Sequence, residues 1–102
     1  MNVNFTLPPL FLMTMPDEAL QDTTPKGIGL IMQTVPSSHR PPPGRVVLAR
    51  DGTGAIFVRR FGEGDGARWR AMATNPAYRD LDSDAAGLTL VAVLRWVAGE
   101  DH

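Results

Sequence analysis

Short apolar runs, separated by glycine and proline, set the rhythm of this chain. The runs at residues 11–15, 28–35, 45–50, 55–61, 67–73 and 88–98 carry the β-branched and aromatic residues that suit a pleated, half-buried surface. Each predicts a strand. After Pro16, residues 17–21 predict at most a short helical turn. Pro25-Lys26-Gly27 reads as a turn, and residues 36–44 hold four prolines, too many for regular structure, so they read as a surface loop. Asp51-Gly52-Thr53-Gly54 lies between two apolar runs and is the strongest hairpin signal in the chain. Residues 62–66 form another tight connection, and Asn75-Pro76 opens a long polar loop. No repeat is present, and no helical periodicity lasts beyond two turns. Strands at this spacing predict a mainly β fold, a sandwich or barrel.

The run 88–98 is the longest. Simple alternation puts Leu88, Leu90, Ala92, Leu94 and Trp96 on one face, with Thr89, Val91, Val93, Arg95 and Val97 on the other. Both faces are largely apolar. One reading is a central strand covered on both sides by its own chain. The other is that one face meets a second subunit. A chain of 102 residues makes a single domain with one modest core and little material for a third layer. The second reading therefore predicts a homodimer, with Val91, Val93, Arg95 and Val97 at its interface.

Composition narrows the chemistry. At 43 % hydrophobic residues the chain can fold, and its net charge of −1 gives no broad attraction for nucleic acid or an anionic membrane. Without cysteine there is neither a disulfide nor a thiolate metal site, which suits the cytoplasm. His39 falls in the proline-rich loop and His102 at the terminus. A metal would need mostly carboxylates, and no stretch spaces them suitably, so neither metal nor cofactor is expected. No segment reaches the ~20 apolar residues of a membrane helix. The opening residues 1–15 have Asn2 and Asn4 in place of a basic start, and Pro8-Pro9 interrupt them, so they do not read as a signal peptide.

Nucleophiles are few: Ser37, Ser38, Ser83, some threonines, one tyrosine and the single lysine Lys26. A Ser-His-Asp arrangement would need His39 or His102, neither in a rigid setting. Asp17 and Glu18 are adjacent carboxylates that point apart in an extended chain rather than sharing a proton. Gly62-Glu63-Gly64-Asp65-Gly66 lacks the strand-then-helix setting of a phosphate loop and reads as a turn. Arg68, Trp69 and Arg70 mix basic and aromatic character, yet alternation turns both arginines to solvent and Trp69 to the core.

Taken in order, the segments resemble the C-terminal domains of LexA-like and phage repressors. Asp17-Glu18-Ala19-Leu20, then Pro25-Lys26-Gly27, is similar to the family's Gly-Asp-Ser-Met … Pro-Asp-Gly segment. Pro43-Gly44-Arg45-Val46-Val47-Leu48-Ala49-Arg50 resembles its Pro-Gly-Asp-Val-Val-x-Ala-Arg strand, and Phe57-Val58-Arg59-Arg60-Phe61 its x-Val-Lys-Arg-Leu strand. Asn75-Pro76-Ala77-Tyr78 resembles an Asn-Pro-x-Tyr/Phe turn, and residues 88–97 the closing strand. The resemblance spans about residues 11–98. It implies the barrel-like β sheet shared by LexA, UmuD and signal peptidases.

The departures bear on activity. In that family a serine attacks the peptide and a neutral lysine takes its proton. Here the serine position is Ala19 and the lysine position is Arg59. Burial can lower a lysine toward neutrality, whereas a guanidinium cannot be deprotonated in a protein. Both halves of the dyad are replaced, which implies a pseudo-peptidase. The chain also begins too near the motif for the family's upstream cleavage segment or a helix-turn-helix, so neither self-cleavage nor direct operator binding is expected. Arg59 either lays its stem on the sheet with its head in water or forms an ion pair inside the vestigial cleft, with Asp17 or Glu18 as partner. The expected role is self-association, with a full-length repressor or related regulator as a further partner. The rival expectation is an active peptidase using Lys26 with Ser37, Ser38 or Ser83. A third is nucleic-acid binding through Arg45, Arg50, Arg68 and Arg70.

Overall fold

The computed structural model describes residues 9–98, and the fold is mainly β. Its elements are β1 (Leu10–Thr14), β2 (Gly29–Thr34), β3 (Val46–Arg50), β4 (Ile56–Glu63), β5 (Trp69–Met72), β6 (Leu81–Asp82), the one-turn helix α1 (Ser83–Ala86) and β7 (Thr89–Ala98). All strands pair antiparallel in one open sheet of order β1-β2-β7-β3-β4-β5-β6. The closing strand is thus inserted near the middle, between β2 and β3.

Local chemistry explains most of the boundaries. Asp51 closes the β3–β4 hairpin: its Oδ1 accepts from the Thr53 amide at 2.8 Å, the Thr53 hydroxyl at 2.6 Å and the Ala55 amide at 3.0 Å. Gly54 supplies the positive φ of +94° that the turn requires. Strand β4 continues past residue 61 through Gly62, close against the paired strand. A Cβ there would collide with the Met72 sulfur on the paired strand β5. The expected turn of helix at residues 17–21 is a series of tight turns instead, closed by the Thr24 amide on the Leu20 carbonyl at 2.8 Å. The helical turn lies at α1, inside the stretch expected to be a polar loop. Asp82 caps it through bonds from the Asp84 and Ala85 amides, and Gly87 ends it at φ +64°.

The core lies on both faces of the central strands. On one face Met15, Leu20, Leu30, Met32, Leu48 and Val58 pack together, with residues 15–24 laid across them. On the other Val47, Phe61, Trp69, Leu88, Leu90 and Val93 do so, with the rings of Phe61 and Trp69 stacked 5.5 Å apart. Each fully buried leucine or valine of these clusters contributes about 2 kcal/mol.

This arrangement corrects the expected faces of residues 88–98. Register shifts leave Val91 as an extra residue against β3 and Arg95 as one against β2, so strict alternation fails twice. Val93 is only 5 % exposed and packs beside Val47, while Val91 and Val97 lie against the opposite cluster. Arg95 is exposed and donates to the Gln33 side chain at 2.9 Å. These four side chains do not form the single row that alternation predicted, and Val93 is covered by its own chain.

Candidate functional site

The site is built from three separate stretches. After β1, Pro16 stops the strand, and the chain makes a loop whose base is closed by the Met15 amide on Ile28 O and the Gly27 amide on Met15 O, both at 2.9 Å. Ala19 and Leu20 of this loop are fully buried. Its backbone is held by the turn that follows β5. The Thr74 and Asn75 amides both donate to Ala19 O, at 2.9 and 3.0 Å. The Asn75 side-chain amide donates to Glu18 O at 3.0 Å, and the Glu18 amide donates to the Tyr78 hydroxyl at 3.3 Å.

Arg59 comes from the middle of β4, paired with Val47, and is 4 % exposed. Its Nη1 donates to both carboxylate oxygens of Asp17 at 3.2 Å and to its neighbour's carbonyl, Val58 O, at 2.9 Å. The guanidinium carbon lies 5.3 Å from the ring centres of both Phe57 and Tyr78. Its Nε, buried, has no hydrogen-bond partner. Asp17 Oδ1 also accepts from the Ala19 amide at 3.1 Å. One carboxylate oxygen therefore joins Ala19 and Arg59, two positions forty residues apart, within two hydrogen-bond lengths of each other. Of the two candidate partners, Asp17 forms the ion pair; Glu18 is exposed and takes part only through its backbone.

Chemically this is a clasp. A guanidinium stays protonated in a protein, so it takes no proton from a nucleophile, and the methyl group of Ala19 offers none. Two open depressions, of about 700 and 420 Å³, lie elsewhere. Arg40, Pro42, Phe61 and Arg68 help to line the first and Arg60, Gly62 and Met72 the second; neither includes Asp17, Ala19 or Arg59.

The rival sites are dispersed. Lys26, Ser37 and Ser38 are exposed, whereas Ser83 is buried with its hydroxyl accepting from the Trp69 amide at 2.9 Å. Among the described residues no hydrogen bond joins Lys26 to any of these serines. His39 is exposed, and His102 lies outside the described residues. Among the described residues no group of three His, Cys, Asp or Glu side chains could hold a metal, and no helix is long and apolar enough to cross a membrane. Of the arginines considered for nucleic acid, Arg45 donates to Leu94 O, Arg68 pairs with Asp84 and Arg70 with Asp80. Trp69 is buried between its exposed neighbours Arg68 and Arg70.

Phe57, Asn75 and Tyr78 belong to the clasp but were not singled out for it by residue type. Phe57 shares its strand motif with Arg59, and the Asn-Pro-x-Tyr spacing marks a turn without saying what it grips. No family model matches the chain, and no curated protein matches it either.

Proposed function

We propose that this chain is a catalytically inactive domain of the LexA and phage-repressor type, retained as a module for self-association. The observation that carries the reading is the meeting of Ala19 and Arg59 on one oxygen of Asp17. The resemblance requires the serine and lysine positions to be neighbours in space. Proximity of these two positions, from different stretches of a mainly β chain, supports the alignment on which the reading rests. The same geometry supports loss of activity: the base position holds a buried cation already committed to a carboxylate, and the nucleophile position holds a methyl group. Such a domain would act in the cytoplasm, pairing with itself or with a full-length repressor and altering the regulator's oligomeric state rather than touching the operator. This functional step is carried over from the fold resemblance.

The test is incubation of the full chain at alkaline pH, where a lysine base would be favoured, followed by intact-mass spectrometry. Only the intact chain is expected. Specific fragments that vanish on Lys26→Ala would overturn the proposal in favour of a relocated dyad.

A further inference from the structure

The sheet ends at β1, and among the described residues no other strand covers its outer side. Pro9 O accepts from the Thr34 amide and the Met15 amide donates to Ile28 O, so odd-numbered residues of this stretch turn their backbone groups toward β2. Leu10, Leu12 and Thr14 therefore point their amides and carbonyls outward. Their side chains are exposed as well: Leu10 is 42 % and Leu12 65 % exposed, while Phe11 and Met13 pack on the core.

An exposed apolar edge is normally blunted by charge, a bulge or proline within the strand. Leu-Phe-Leu-Met-Thr has none of these. The apolar surface also continues inward from the edge, because Leu12 stands beside Ile31 and Ile31 beside Trp96, itself 53 % exposed.

We infer that β1 is the dimerisation edge, pairing antiparallel with β1 of a second copy about a two-fold axis at Leu12. This rests on reading the domain as a self-associating module, and it replaces the row of Val91, Val93, Arg95 and Val97 as the surface used. The register follows from the outward groups. Leu12 faces Leu12 of the second copy, and Leu10 faces Thr14, each pair exchanging both amide bonds. Phe11 then meets Met13 on the core side, a favourable sulfur–aromatic contact. Pairing is isologous and opposes no like charges, since β1 carries none. Pro16 takes the next outward position after Thr14 and has no amide, so a register slipped toward that end loses a bond that it cannot replace. The five-residue edge is only about 17 Å long and covers a few hundred Å² per subunit, well below the ~800 Å² per partner of a standard interface. The dimer is accordingly weak and reversible.

The test uses the full chain in sedimentation equilibrium from ten micromolar to one millimolar. Unmodified protein should dimerise. Leu12→Lys and Leu12→Glu, both at an exposed position, should each weaken association at least tenfold by opposing like charges, and an equal mixture of the two should restore it. Circular dichroism checks that the folds are unchanged. Because the chain has no cysteine, Leu12→Cys reports the register directly: mild oxidation should link two copies far more completely than it does for Leu10→Cys, which faces Thr14. A dimer indifferent to both charge changes, or equal cross-linking at the two positions, would overturn the edge and leave self-association standing. A monomer at one millimolar would overturn both.

Discussion

Removing Asp17 should harm this fold more than removing Arg59, although either change breaks the same ion pair. In Asp17→Ala the guanidinium stays where it is, 4 % exposed, with Val58 O as its only remaining hydrogen-bond acceptor and its Nε still unpaired. The Ala19 amide loses its acceptor as well. Stripping the partner from a fully buried charge costs about 3–5 kcal/mol, but Asp17 is a quarter exposed and water can enter where it stood, so about 2–3 kcal/mol is expected. In Arg59→Met the charge leaves together with its partner's need for it. The new side chain fills the space beside Phe57 and Tyr78, Asp17 rehydrates through its open side, and its bond from Ala19 survives. That change should cost about 1 kcal/mol. The double variant should then be more stable than Asp17→Ala alone, an order that no simple sum of lost contacts produces. Urea unfolding measures it: with an unchanged slope, the Asp17→Ala midpoint should fall by roughly 2 M and recover by about half in the double variant. Equal losses for the two single variants, or no rescue in the double, would refute the view that the buried cation dictates the cost.

Val93→Asp should unfold the domain rather than dissociate a dimer, because an unpaired carboxylate beside Val47 costs several kcal/mol. Thermal melting would show a large loss; a fully folded variant that had merely become monomeric would restore Val93 to the interface. Acid should also destabilise the fold. The Thr74 hydroxyl at Asp22, the Thr53 hydroxyl at Asp51 and the Ala85 amide at Asp82 each hold a carboxyl below its ordinary value. A depressed folded-state pKa contributes stability that is complete above the unfolded value near ~4 and is lost as pH falls through the lower, folded value. Melting temperature should therefore stay level down to about pH 5 and drop below about pH 4. Thr53→Ala should flatten part of that drop, and a rise on acidification would contradict the assignment.

The strands were legible where glycine and proline cut the chain into pieces too short for helices, as around β3 and β4, whose hairpin turn follows directly from Asp51, Gly52 and Gly54. The neighbourhood of Ala19 and Arg59 was legible only through the order of motifs, since nothing local to either residue names the other. Its partner was half legible. Two adjacent carboxylates were equal candidates by type, and the choice of Asp17 depends on the turns after Pro16, which aim one side chain inward and leave Glu18 in water. Helix α1 was hidden because four residues carry no periodicity. Only the cap residues Asp82 and Gly87 mark it.

The faces of β7 were illegible for a different reason, and it also explains Arg45. Alternation identifies a strand's faces only when one is polar, and here valine and leucine occupy both. The ten-residue strand must serve β3 over its first half and β2 over its second, and an extra residue enters each pairing, Val91 in one and Arg95 in the other. The pairing with β3 stops at Val47 and Val93, and the next carbonyl of β7, Leu94 O, is taken by Arg45, which reaches it with Nε at 3.2 Å and Nη2 at 3.1 Å. On its other side Val91, the first bulge residue, still serves β2, its carbonyl accepting from the Val35 amide at 3.0 Å one pair past Thr34 and Ala92. The arginine that looked like a candidate for a phosphate is thus occupied in repairing a strand. The two bulges also decide which apolar residues remain outside. They move Val93 inward, return Val97 to the core and leave Trp96 in line with Ile31 and Leu12. The apolar surface left over by folding therefore lies beside the uncovered edge of β1, where a second strand can use it, and not along the valines of the closing strand.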